Sequence, residues 1–150
     1  MIVIINPNST VSMTEAMLET ARAALSQGVS SAVPPADPKT QILGWTSHEG
    51  RPSIQGPEDG AASTPPLLRL VKKASDSGAS AIIIGCADDT GLTEARQIAA
   101  CPVIGIGQAA LPPVFGQPAR RRNTPPALVL CSTVRHCTDQ LHADGVLVDQ

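Results

Sequence analysis

Aromatic side chains are almost missing from this sequence: it has Trp45 and Phe115, and no tyrosine. Base stacking, on which recognition of single-stranded nucleic acid depends, has little to work with. An excess of positive charge is missing too. Eleven basic residues stand against 13 acidic ones, a formal net charge of −2. That balance offers no bulk attraction to nucleic acid or to an anionic membrane surface. No apolar run approaches the roughly 18 residues that mark a membrane-spanning helix. The opening MIVIINPNST has no basic segment, and its apolar run is shorter than that of a secretory leader. Cys86, Cys101, Cys131 and Cys137 show no C-x-x-C pairing, so neither zinc nor a disulfide framework is indicated. Free thiols in a reducing compartment fit better. The expected setting is soluble and cytoplasmic, with no nucleic acid and no membrane as partner.

What is present is alternation. Ile2 to Ile5 is a short β-branched run, read as a buried strand. After a polar turn over Asn6 to Val11, Ser12-Met-Thr-Glu15 fits a capping box. Met13, Met17, Ala21 and Leu25 then follow at four-residue spacing, one face of a helix, with Gly28 as its stop. Residues 29 to 38 read as loop, with Pro34, Pro35 and Pro38. Thr40 to Trp45 reads as a second strand, and residues 46 to 63 as a long irregular loop. Thr64, Pro65 and Pro66 are expected to open a helix running to Gly78. Ala79 to Gly85 is the third and most apolar strand, Gly91 to Ala100 a short helix, and Pro102 to Ile106 a fourth strand. Gln108 to Leu111 can start another helix. Strands that are continuously apolar and separated by helices mark a parallel sheet covered on both faces.

The character changes after Leu111. PPVFGQPARRRNTPP holds five prolines and three consecutive arginines and reads as a linker. Ala127 to Cys131 resumes as a strand, Ser132 to Ala143 as a helix, and Val146 to Val148 as a last short strand. The expected organisation is therefore a first α/β lobe at 1–111, a Pro/Arg-rich linker at 112–126, and a partial second lobe at 127–150. Arg120 to Arg122 are expected to be solvated loop residues.

In open α/β sheets, ligands bind beyond the carboxyl ends of the strands. Asn6 to Thr10, Gly85 to Gly91, and Cys131 to Thr133 leave such ends, and each carries small polar side chains. Cys86 stands where a helix N-terminus follows closely, a setting that favours thiolate; a small buried hydrophobe is the plainer role for the same residue. Asp88 and Asp89 would oppose thiolate formation, so they do not read as activators. One is expected to cap the following helix and the other to accept from an N–H of a neighbouring loop or of a ligand. Asn8, Ser9 and Thr10 can bind a carbonyl or carboxylate, or simply serve turn and capping chemistry. GIGQAA (105–110) matches a dinucleotide-binding G-x-G-x-x-A. It follows the fourth strand rather than the first, and no acidic residue lies at the expected offset of about 20. Close helix–strand packing accounts for those glycines as well. Cys101 reads as structural, and Cys137 lies within an expected helix. His48, His136 and His142 show no partner in the sequence.

Together these stretches resemble the hydantoin racemase branch of the aspartate/glutamate racemase superfamily. IINPNSTVSMTEAM is similar to that family's first-strand loop, and GRPSIQG to its G-P-x-S-I-x-G segment. GCADDTGLTEAR resembles its G-C-x-D-D-P-G-L-x-x-A-R signature, and PVIGIGQAA its P-V-x-G-I-x-E-A-A. The four blocks cover residues 2 to about 110, in order. LVLCST is a weaker match to the start of the second half. Ala87 stands where the family has an aromatic, Thr90 where it has proline, and Gln108 where it has glutamate. The resemblance implies a doubly wound parallel sheet of Rossmann or flavodoxin-like type, with a second similar lobe that is incomplete here. It also implies a racemase or epimerase of 5-substituted hydantoins or allantoin-like cyclic ureides, working without a cofactor through two cysteines on opposite faces of the substrate.

Cys86 lands on the first catalytic cysteine. The implied binding residues are Asn8, Ser9 and Ser53 in the first two loops, Ala87, Asp88 and Asp89 after the cysteine, and Ser132 and Thr133 near the second half's first strand. The family's second cysteine sits in a G-C motif, and Gly85-Cys86 is the one such pair in this sequence. Three readings follow. The first is a racemase with Cys86 as one base. The second is a catalytically incomplete remnant that still holds a small ligand. The third is a nucleotide-binding module resting on Gly105 and Gly107. An incomplete second lobe would expose apolar surface and invite a homo-oligomer.

Overall fold

The computed structural model describes residues 1–27 and 39–110. Its strands are β1 (Ile2–Asn6), β2 (Ile42–Thr46), β3 (Ala81–Ile84) and β4 (Val103–Gly105). Its helices are α1 (Val11–Gln27), α2 (Pro57–Asp76), α3 (Leu92–Ile98) and α4 (Ile106–Ala110). The strands pair in parallel in the order β2-β1-β3-β4. This is the doubly wound α/β sheet expected. The linker, the second lobe and Gly28 lie outside the described residues.

An all-apolar strand serves two faces at once. Val3, Ile5, Ile82 and Ile84 are fully buried on one side, with Leu67, Val71 and Ala74 of α2 and Leu92 and Ala95 of α3. Ile4 points the other way and packs with Met13 and Met17 of α1, joined by Ile83 and Ile42. The pleat turns successive side chains to opposite faces, so helices on both sides require the unbroken β-branched run. Each fully buried Ile or Leu contributes roughly 1.5–3 kcal/mol. Close approach is built in by glycine. A Cβ on Gly44 would stand 2.5 Å from Leu18 Cδ1, and one on Gly85 would run into Met17 Sδ.

Three expected boundaries are corrected. Helix α1 starts at Val11, so Ser12 stands inside its first turn and not at the cap. Helix α2 starts at Pro57, seven residues before Thr64, and takes in much of the expected loop. Its Pro65 and Pro66 lie inside the helix. Proline leaves the carbonyl four residues back without a donor, but those belong to Ala61 and Ala62, which are exposed to water. The turn is also held by the Thr64 hydroxyl, which donates to the Gly60 carbonyl at 2.8 Å. Pro57 at the first helical position, followed by Glu58 and Asp59, suits the positive end of the helix dipole. Third, β3 and β4 are shorter than read: β3 spans Ala81–Ile84 and β4 Val103–Gly105. Among the described residues no helix is long and apolar enough to cross a membrane.

Candidate functional site

The strand order reverses between β1 and β3. Helix α1 carries the chain from β1 to β2 on one face, and α2 carries it back past β1 to β3 on the other. The crevice of such a sheet opens above this pair. Gly85 N donates to the Ile5 carbonyl at 2.8 Å, so the segment after β3 leaves the sheet level with the end of β1. Two loops therefore flank one crevice: residues 7–10 and residues 85–91.

The first loop is held from within. Asn6 is fully buried. Its side-chain amide donates to the Thr10 carbonyl at 3.0 Å and to Thr14 Oγ1 at 3.2 Å, while its Oδ1 accepts from Asn8 N at 3.1 Å. Thr14 shares a 2.6 Å hydrogen bond with Thr46 Oγ1, tying α1 to the end of β2. Asn8 is also buried. Its Oδ1 accepts from Thr10 N at 3.0 Å and its Nδ2 donates to Met13 Sδ at 3.2 Å. Both ends of the Asn8 side chain are engaged inside the loop, which is the turn chemistry of Asx residues. Ser9 is half-buried, and its N–H donates to the Arg51 carbonyl at 2.9 Å.

The segment after β2 is strapped across this loop. Thr10 Oγ1 donates to the Pro52 carbonyl at 2.7 Å, and Arg51 N donates to the buried Ser63 Oγ at 3.3 Å. A Cβ on Gly50 would strike the Pro7 carbonyl, which is why glycine stands there. Ser53 lies half-exposed beside these straps. Ser47, at the end of β2, is buried with no partner for its hydroxyl among the described residues. Sequence reasoning named Asn6 only as the start of a candidate loop and passed over Thr14, Thr46, Ser47 and Ser63. The one available signal was polar residues at strand ends and on helix faces that the apolar pattern marks as buried.

The second loop is built from two consecutive turns. Asp89 N donates to the Cys86 carbonyl at 3.2 Å, and Leu92 N donates to the Asp89 carbonyl at 3.0 Å. Asp89 and Gly91 both have positive φ, 51° and 68°. Asp tolerates that region better than most residues, and glycine enters it freely. Cys86 is half-buried, with its apolar side against the core of the α2–α3 face. Its thiol donates to Thr90 Oγ1 at 3.4 Å. Ala87 and Asp88 are exposed.

The expected capping role goes to a different helix. Gly91 is the N-cap of α3, with no side-chain cap. Asp89 instead reaches across to the β4–α4 junction. Its two carboxylate oxygens accept from Gly107 N at 3.0 Å and Gln108 N at 2.6 Å. A Cβ on Gly105 would collide with that carboxylate, and one on Gly107 with the Ala87 carbonyl. The glycines of GIGQAA thus make room for the neighbouring loop. Burial pushes the Asp89 carboxyl above the ordinary carboxylate range, with the two backbone N–H groups and Arg96 pulling the other way.

The other candidates fall elsewhere. Cys101 precedes β4 at the opposite edge of the sheet and packs against the core, as a structural cysteine would. His48 is exposed. Cys131, Ser132, Thr133, Cys137, His136, His142 and Arg120 to Arg122 lie outside the described residues. Among the described residues no three His, Cys, Asp or Glu side chains converge as a metal site.

A four-stranded doubly wound sheet with a half-buried thiol and small polar loops at its switch point defines an α/β lobe. The particular family follows from comparison with known proteins. The model of the Asp/Glu/Hydantoin racemase family matches residues 2–121, and the chain belongs to that family. It is similar to a hydantoin racemase of Rhizobium meliloti, 39% identical over 108 residues, and to one of Pseudomonas sp. (strain NS671), 32% identical over 108 residues. Each alignment takes in 72% of this chain, against 40% and 39% of those relatives. The fold is similar to that of an allantoin racemase from Klebsiella pneumoniae, with TM-score 0.63 and 36% identity over 73% of this chain and 40% of that one. An allantoin racemase from Pseudomonas fluorescens matches with TM-score 0.61 and 25% identity, over 96% of this chain and 55% of that one.

Proposed function

We propose that this chain supplies one half of a two-base proton-transfer site for racemising 5-substituted hydantoins or related cyclic ureides such as allantoin, with Cys86 as one acid/base. The observation that carries the reading is the placement of Cys86. It is half-buried just past the carboxyl end of β3, beside the switch point. The chemistry suits that placement. The C5 hydrogen of a hydantoin lies between a ring carbonyl and a ring nitrogen, so its removal leaves an enolate shared with the carbonyl oxygen. A thiolate at Cys86 would take that proton and become the thiol. Inversion needs a second acid on the other face of the ring, and the enolate oxygen needs N–H or O–H donors aimed at it. No cofactor enters this sequence of steps.

Asn8 and Ser9 act in this reading by setting the wall of the crevice, because the Asn8 side chain is already engaged. Asp89 holds the Cys86 loop against α4, while exposed Ala87 and Asp88 and half-exposed Ser53 stand at the rim. Ser132 and Thr133 are proposed to line the side from which the second acid comes, with Cys131 as its first candidate. The same reading places the protein in the cytoplasm, with a small molecule as its partner and self-association as a further property.

The test is proton NMR of a 5-substituted hydantoin in D2O, with chiral chromatography on the same sample, for the intact chain and Cys86→Ala. Exchange with inversion, lost in Cys86→Ala, is the expected result, and Cys131→Ala then identifies the opposing acid. No exchange above background would overturn the reading. The chain spans about 40% of the length of the curated relatives it matches, and a second reading concerns this lobe by itself. In it the lobe binds a cyclic ureide without turning it over. Cys86-dependent exchange without inversion, or saturable binding without exchange, marks that case.

A further inference from the structure

The hydroxyl of Thr90 lies 3.4 Å from Cys86 Sγ, four residues away across the loop. Among the described residues it has no other hydrogen-bond partner. The loop holds the pair together. The turn closed by Asp89 N on the Cys86 carbonyl leads directly into the turn closed by Leu92 N on the Asp89 carbonyl, with Thr90 as the second residue of the latter. Both neighbours of Thr90 have positive φ, and the Asp89 carboxylate is anchored on two amides of α4. The Thr90 side chain also lies beside the first turn of α2, where a Cβ on Gly60 would be 3.6 Å from its hydroxyl. Replacing Gly91 would disturb the arrangement, since a Cβ there would stand 2.9 Å from Leu67 Cδ2. The hydroxyl is therefore placed by backbone that has little freedom to move.

We infer that Thr90 is a positioning residue for the Cys86 sulfur, hydrogen-bonding to it in both of its protonation states. This deepens the racemase reading and rests on it. A hydroxyl offers one donor and two acceptor lone pairs. It accepts from the thiol S–H, as seen here, and by rotating it donates to the thiolate once the proton has left. A thiol that alternates between base and acid needs a partner that can follow it. Backbone N–H groups donate only and carbonyls accept only, whereas a hydroxyl does both without moving its oxygen. Thr90 neither gains nor loses a proton in the cycle: the proton goes from substrate carbon to Sγ and from Sγ to substrate carbon. Proline, the residue at this point in the signature that GCADDTGLTEAR resembles, stiffens a turn but has no hydroxyl.

The experiment is alkylation of the full chain by iodoacetamide across a pH series, with each cysteine followed separately by peptide mass spectrometry. It needs no substrate, so its outcome is independent of whether the chain racemises anything. In Thr90→Val the Cys86 alkylation curve moves to higher pH by about half a unit, which is roughly threefold less thiolate at a fixed pH below the midpoint. Thr90→Ser restores the original curve, and the Cys101 curve stays in place throughout. Thr90→Ala against Thr90→Ser gives the same comparison if the valine variant does not fold. A Cys86 curve unchanged by loss of the hydroxyl overturns the inference. So does a serine variant that shifts as far as alanine, because packing and not the hydroxyl would then be responsible.

Discussion

The loops after β1 and β3 sit side by side at the switch point of one sheet and are built on opposite principles. The first is a closed polar knot. Asn6 and Asn8 are buried; the Asn6 side chain is consumed by Thr10, Thr14 and the Asn8 backbone N–H, and that of Asn8 by Thr10 and Met13. The second is half-open: Asp88 and Ala87 face water, Asp89 holds an uncommon backbone conformation, and a thiol lies between core and crevice. Buried amides need partners, and a group left without one destabilises the fold by its full desolvation penalty. The first loop therefore acts as a rigid wall. The second leaves the Cys86 thiol half-buried and is anchored on two amides of α4 through its own Asp89 carboxylate.

That contrast can be broken at its strongest point. Asn6→Ala removes three hydrogen bonds, and with them the side-chain oxygen that accepts from the buried Asn8 N–H. It is expected to destabilise by about 3 kcal/mol or more, read as a lowered denaturant midpoint at unchanged slope. A loss below 1 kcal/mol would mean that the first loop is not the rigid partner.

A smaller effect is expected at Gly105→Ala. The added methyl meets the Asp89 carboxylate and should destabilise by about 1–3 kcal/mol, the range for overpacking. Part of that loss should vanish in an Asp89→Ala background, where the contact of the added methyl with Leu92 Cδ2 at 2.7 Å remains. Additive effects in the double variant would show that Gly105 matters for another reason.

The smallest effect, and the sharpest, is in the pH dependence of Asp89. Burial raises its carboxyl above the ordinary value in the folded state. Protons are then bound more readily by the folded chain than by the unfolded one. The burial penalty on the carboxylate is present at neutral pH and is relieved as pH falls through the raised value, fully so below 3.8. Wild type should therefore gain stability relative to Asp89→Asn on acidification, measured as the difference between their denaturation midpoints at each pH. A difference that is flat, or of opposite sign, would show that the two amides of α4 outweigh burial.

Much of this lobe was legible in the chain. The β-branched runs at Ile2 to Ile5 and Ala81 to Ile84 announced buried parallel strands, because only strands covered on both faces tolerate such runs. The GCADDTG stretch announced a strand end with a thiol. What escaped were features that depend on a distant partner. Helix α2 begins at Pro57 because its acidic first turn and the Thr64–Gly60 contact outweigh two internal prolines, and no local rule weighs these against each other. One of Asp88 and Asp89 was expected to cap α3 and the other to accept from an N–H of a neighbouring loop. Asp89 does the second, on the Gly107 and Gln108 amides, while Gly91 begins α3 with no side-chain cap. Asn6 was invisible as a functional neighbour because its role is to satisfy groups up to eight residues away, and one of those hydroxyls is tied in turn to β2.

By itself, the sequence determined the strand–helix alternation, the parallel sheet and the position of Cys86 at a strand end. Hydrophobic periodicity and backbone propensity act over a few residues and need no partner to be read. The tertiary structure alone decided which loops meet above β1 and β3, that Asp89 bridges to α4, and that the Thr90 hydroxyl comes to rest on the sulfur of Cys86. Those are contacts between groups that the chain brings together only after the sheet has formed. Their energies come from desolvation and hydrogen-bond geometry, which a linear pattern does not contain.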